Sequence, residues 1–199
     1  MNLTPYPCLL CNSTETSDRL RPGIYSGFSP YGLLTDEQYV ALQAQIKYPW
    51  LRAALAVAYR FGFGKSELVS LRVSQVDLKH RAIRLLPGHT RNDRGHVVVM
   101  TTDFADLIAE CVKGKEPGDP LFTWADGTPI NDFRRTWRTL ARKAGLPGVL
   151  FHDMRLFAVR NMLRAGISKH TAGRISGHSS DWIFDRYDIQ DEADLREAA

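Results

Sequence analysis

The chain has 199 residues, 44% of them hydrophobic and 24% charged, a balance that excludes wholesale disorder and suits one domain with a real core. Its formal charge of +4 and pI near 9.0 hint at an acidic partner without naming one, and no run approaches the roughly 18 apolar residues of a membrane span. Three cysteines, Cys8, Cys11 and Cys111, make no disulfide framework. The opening "MNLTPYPCLLCNSTETSDR" also lacks the regions of a secretion signal, so a reducing cytoplasm is the expected setting. "CLLC" has no second pair and no suitable nearby histidine, so no metal is expected.

Residues 1–34 are rich in Ser, Thr, Pro, Gly and Tyr without a lasting period, which predicts a flexible arm. "TDEQYVALQAQI" predicts a helix with Thr35 as N-cap and Gln38 at the capping-box position, broken by Pro49. "WLRAALAVAYRF" predicts a second, largely buried helix. "KSELVSLR" predicts a short third with Gly64 at its entrance. The period then changes: "AIRLL" and "HVVVM" are β-type runs joined by the turn-rich "PGHTRNDRG", and "SQVDL" suits a further short strand. "TDFADLIAECVKG" returns to a helical pattern, and "LFTWADGTPI" is extended with an Asp126-Gly127 turn. Asn131 is the expected cap of "DFRRTWRTLARKAG", whose Phe133, Trp137 and Leu140 form one stripe and whose Gly145 ends it. "FHDMRLFAVRNMLRAG" predicts a helix stopped by Gly166, "SKHTAGRIS" and "SDWIFDRY" two shorter ones, and "DEADLREAA" a last, acidic one. The expected fold is mainly α with a small antiparallel sheet.

Charge and chemistry gather late in the chain. From Asn131 to Arg186 eleven basic residues stand against the four acids Asp132, Asp153, Asp181 and Asp185, whereas from Tyr187 onward five acids face Arg196. A basic block before an acidic tail suits a polyanion surface; ordinary solvated helix faces would read the same way. In "HDMR", His152 and Arg155 are i, i+3 on one helix, so they share a face. A guanidinium fork beside an imidazole suits a phosphate, though such a pair is common by chance. "GHSS" adds His178 after a glycine, at an expected helix start where the helix dipole favours anions. Tyr187 follows in "FDRYDIQ", and a tyrosine hydroxyl is able to act as a nucleophile. Taken singly, each also suits a core or capping residue.

Taken together, "HDMR", "GHSS" 23 residues after Arg155 and a tyrosine nine residues after His178 resemble the catalytic domain of the tyrosine recombinases, the phage integrase family. Upstream, "GFGKSELVSLRVSQVDL" is similar to the family's stretch of Thr-Gly-x-Arg-x-Ser-Glu-Leu and a following Asp-Leu, and "GHTRNDRGHVVVMT" to its β-hairpin. The resemblance spans roughly residues 36 to 190. It implies DNA cleavage and rejoining through a 3′-phosphotyrosine, with no metal and no nucleotide cofactor. By resemblance, Tyr187 is the nucleophile, Arg155 and His178 hold the phosphate, and His152 assists proton transfer. Arg91 falls where the family has a lysine that protonates the leaving oxygen. Arg91, Arg155, Lys65 and Arg174 are the expected DNA contacts, and double-stranded DNA the expected partner.

The resemblance breaks in three places. The family's first arginine, a phosphate clamp, falls on Gly64. Lys65 points about 100° around the helix and replaces it poorly. Arginine at 91 is a poor general acid. The arm over 1–34 is short for the family's N-terminal clamp domain, which suggests a fragment or a reduced homologue. The expected organisation is this arm, a catalytic domain over 35–188 and an acidic tail helix over 189–199 that docks on a neighbouring copy on DNA or in cis against the chain's own basic surface. Two functions follow: a site-specific recombinase weakened at Gly64 and Arg91, or a catalytically inactive member that binds DNA or a partner recombinase.

Overall fold

A computed structural model describes residues 34–85 and 95–177. Helix α1, Asp36–Ala44, starts at the predicted capping box: the Thr35 hydroxyl accepts from Gln38 N–H at 3.3 Å, and Gln38 Oε1 accepts from Thr35 N–H at 3.0 Å. Two orphan amides of the first turn are thereby satisfied. Pro49 does not break this helix. The helix ends at Ala44, and Pro49 opens α2, Pro49–Phe61, where proline's missing N–H costs nothing and its fixed φ suits the first turn.

Helix α2 is buried on almost every side, from Trp50 and Leu51 through Ala53–Tyr59, and packs against the later helices Thr102–Val112 and Asp153–Arg164. Tyr59 ties it to α1, stacking on Tyr39 at 3.9 Å and donating from its hydroxyl to Asp36 at 3.2 Å. The helix closes on Gly62, with φ of 74°, and after Phe63 and Gly64 the short α3, Lys65–Ser70, begins.

A 3₁₀ turn, Val73–Gln75, leads into β1, Val76–Asp77. With β2, Ala82–Leu85, and β3, His96–Val99, it forms an antiparallel sheet in the order β1-β2-β3, with Ile83 opposite both Val76 and Val98. Alternation puts Ile83 and Val98 in the core and leaves Val97 and Val99 exposed, the pattern of a sheet with one wet face. Helix α4, Thr102–Val112, follows. "LFTWADGTPI" folds back at the predicted turn: Asp126 accepts from Thr128 N–H at 2.9 Å, Gly127 has φ of 83°, and Thr123 bridges Pro129.

Helix α5, Arg134–Lys143, starts later than Asn131 predicts, with Phe133 as its N-cap residue. Asp132, not Asn131, accepts the Arg134 N–H, at 3.1 Å. Burial of Phe133 draws the chain inward just before the helix and leaves Asn131 too early to cap it. The predicted stripe is buried, and Trp137 donates from its indole to the Val149 carbonyl at 2.8 Å. Phe151 meets Phe133 and Trp137 edge-on at 4.8 and 5.1 Å. This aromatic clasp fixes the run into α6, Asp153–Arg164, and Gly166 with φ of 77° ends that unit. Ser168 caps α7, Lys169–Ser176, by accepting from Thr171 N–H at 3.2 Å. The fold is mostly helical with one small antiparallel sheet. Leu34, buried at 2%, already belongs to the core. No helix among the described residues is long and apolar enough to cross a membrane.

Candidate active site

Arg155 sits in the first turn of α6, its side chain 11% exposed. Its Nη1 donates to Glu67 Oε2 at 3.2 Å, and the Glu67 side chain is 4% exposed. The same Oε2 accepts the Gly64 N–H at 2.6 Å. One buried carboxylate therefore holds the entrance of α3 and the guanidinium of α6 together. Burying a carboxylate this deeply is tolerable only with such partners. Sequence reading passed over Glu67 as part of a Ser-Glu-Leu string. Its signal was position: a glutamate three residues after a helix entrance reaches back to that entrance.

Gly62 and Gly64 flank this pair and differ in kind. Gly62 is left-handed, and a Cβ there would lie 3.1 Å from Ser176 Cβ and 3.4 Å from Arg155 Cγ. The bare backbone lets the end of α2 lie against α6 and α7. Gly64 has φ of −73° and ψ of 161°, ordinary extended backbone that any residue adopts. A Cβ on Gly64 would stand 3.4 Å from Glu67 Oε2 and 3.7 Å from Arg155 Nη1, both normal contacts. Position 64 thus borders the Arg155 guanidinium directly, and it carries no side chain.

Lys65 is engaged elsewhere. Its ammonium lies 3.0 Å from Asp132, which also takes Arg134 Nε at 2.8 Å. The hydrogen bond from Arg134, followed by that from Lys65, holds the Asp132 carboxyl well below the usual carboxylate range. His152 is exposed at the N-cap of α6, and its carbonyl accepts the Arg155 N–H at 3.1 Å. Next to it Asp153 is buried and accepts Leu150 N–H at 2.8 Å; burial raises its carboxyl, against the pull of that amide and of His152. Arg174 is exposed on α7, which ends at Gly177. Arg91, His178, Tyr187 and the acidic tail lie outside the described residues. The structure therefore brings Arg155 to the entrance of α3 with His152 one turn away, while Lys65 joins α3 to the approach of α5. Buried Cys111, its thiol pushed up to about 11 by burial, is a core residue. No group of three His, Cys, Asp or Glu among the described residues is placed to hold a metal ion.

Comparison with known proteins agrees with this architecture. Tyrosine recombinase XerA of Saccharolobus solfataricus is 30% identical over 120 residues, which span 59% of this chain and 38% of that protein. A crystal structure of XerA recombinase superposes with a TM-score of 0.70 at 24% identity, over 83% of this chain and 63% of that one. The catalytic domain of bacteriophage HP1 integrase gives 0.61 at 20% identity, over 78% and 85%. The Tn1549 transposon integrase, in complex with circular intermediate DNA, gives 0.63 at 21% identity, over 82% and 62%. The model of the Phage integrase family matches residues 33–193. With most of its length inside that match, the chain belongs to the phage integrase family.

Proposed function

We propose that this protein binds duplex DNA and cleaves and rejoins it by site-specific recombination chemistry. Tyr187 Oη attacks the scissile phosphorus, the bond to the 5′ oxygen breaks, and a 3′-phosphotyrosine forms. The phenolic proton leaves toward solvent or His152, and the departing 5′ oxygen takes a proton; reversal rejoins the strand. Arg155, with His178, holds the non-bridging oxygens, where a fixed cation acts on developing charge. Arg91 contacts the phosphate, and Lys65 and Arg174 add contacts to the DNA backbone. The arm over 1–34, the catalytic unit over 35–188 and the tail over 189–199 are the working parts, acting in the cytoplasm. The tail docks on a neighbouring copy on DNA.

The observation that carries this reading is the Arg155–Glu67 pair at 3.2 Å. A guanidinium held in place before any phosphate arrives has already met its ordering cost. A second reading, a family member that binds DNA or a partner recombinase without cutting, is favoured by the bare Gly64 beside that guanidinium. A nicked suicide duplex separates the two. A covalent protein–DNA adduct that vanishes in Tyr187→Phe supports cleavage. Retained duplex binding with no adduct supports the non-cutting reading.

A further inference from the structure

The solvent face of α5 carries a feature that the group around Arg155 does not use. Arg138 and Arg142 flank a hollow of about 300 Å³, closed by Thr139 on the same helix and by Pro147 and Gly148 of the following turn. Both arginines are exposed. Among the described residues neither side chain makes a hydrogen bond or an ion pair. No carboxylate among the described residues lines the hollow. Gly148, with φ of 104°, turns the backbone around its far side.

The helix itself shows why these charges need a partner. Arg134, Arg138 and Arg142 are spaced i, i+4, i+8 on one ridge, and α5 contains no acid at all. Like charges at this spacing repel. Arg134 has Asp132 at 2.8 Å; the other two are exposed beside the hollow. Buried Trp137, Leu140 and Ala141 pin the opposite face, so α5 is unable to rotate the arginines apart. Two arginines and a threonine on the rim of the hollow bring side chains able to donate to the oxygens of a phosphate group.

We propose that this hollow is a phosphate-binding site, separate from the catalytic group, that seats one backbone phosphate of bound duplex. The DNA source rests on the DNA-binding reading above; the phosphate chemistry does not. Binding of the full chain to duplex is measured between about 50 and 200 mM salt, where each neutralised phosphate adds about 0.9 to the log–log slope. The Arg138→Gln/Arg142→Gln variant should lower that slope by about 0.9 at unchanged helicity. Lys47→Gln/Lys113→Gln, which removes the same charge from two exposed lysines, should lower it less. In parallel, inorganic phosphate is titrated into the wild type while the guanidinium NMR signals lost in the arginine variant are followed.

A slope loss confined to the arginine variant supports a backbone phosphate in the hollow. An intact slope with moving guanidinium signals overturns the DNA source and leaves a site for a free phosphorylated compound. Static signals together with equal slope losses in both variants overturn the site altogether. If the wild type binds no duplex, it is the DNA-binding reading that has failed, and the phosphate titration alone decides the hollow.

Discussion

Glu67 concentrates the energetics of the candidate site in one side chain. Its carboxylate serves Gly64 N–H and Arg155 Nη1 at once, and removing it strips the amide of its acceptor and a largely buried guanidinium of this carboxylate. Glu67→Ala should therefore cost about 3 kcal/mol, read from the shift in urea midpoint; a loss under about 1 kcal/mol, the range of an exposed pair, would show that water shares the site. Gly64 makes the opposite experiment feasible. Its extended backbone accepts any residue, and a Cβ has room beside Arg155. Gly64→Arg should raise adduct formation on a nicked duplex on the order of 10²-fold, the effect of one well-placed donor. Arg91→Lys should add to it by supplying a proton donor. A folded double variant that binds duplex and forms no Tyr187-dependent adduct would show that these positions are not what limits cleavage. Asp132 supplies the pH test. Its carboxyl is depressed in the folded state by Arg134 and Lys65, so its stabilisation is present above the normal carboxylate range and fades as pH falls toward the folded value. The Tm difference between wild type and Asp132→Asn should be largest at neutral pH and shrink on acidification; a difference that grows in acid would refute the pairing.

At the scale of elements, helix ends do more than stop helices. Gly62 and Gly166 are both left-handed, with φ of 74° and 77°. Only Gly62 has neighbours in the path of a Cβ, Ser176 Cβ at 3.1 Å and the Arg155 stem at 3.4 Å, while Gly166 has nothing within 4 Å. Gly166→Ala should cost about 1–2 kcal/mol, the conformational penalty alone. Gly62→Ala should cost more and displace Arg155 from Glu67, because the extra atom pushes the end of α2 away from α6 and α7. Thermal unfolding of both variants checks the ranking, and equal losses would mean the junction is loose enough to absorb a methyl group. The aromatic clasp of Phe133, Trp137 and Phe151 has a similar positional role: it seats the residues just before α6, and hence the turn that carries His152 and Arg155.

At the scale of the whole molecule, the basic surface and the acidic end make opposite predictions. Duplex affinity should fall steeply between about 50 and 200 mM salt, because Lys and Arg displace counterions from phosphates; a flat response would count against DNA as the partner. Removing residues 190–199 should change self-association on DNA, measured by light scattering with and without duplex. Identical assembly and identical adduct yield in the truncated chain would leave the tail without that role.

Much of the fold was legible because its signals are local. The Thr35–Gln38 box, the Asp126-Gly127 turn, the Phe133–Trp137–Leu140 stripe and the alternation of "HVVVM" each act within a few residues, where propensity and period decide. The spacing of His152, Arg155, His178 and Tyr187 pointed to the family for the same reason: it can be counted along the chain. Local signals erred where a neighbour in space outweighed them, as at Pro49, which begins a helix, and at Asn131, displaced as cap because Phe133 is drawn into the core. The site's inner structure lay out of reach of such counting. Glu67 and Arg155 are 88 residues apart, and Lys65 and Asp132 are 67 apart. Whether Gly64 was strained, and what its missing side chain would have touched, depended on how α3 meets α6. Sequence alone determined the family pattern and where most of the described helices and strands run. Only tertiary packing decided which charge holds which, because an ion pair between distant segments forms when the burial of α2 brings α3 and α6 together, and nothing in the local chain encodes that meeting.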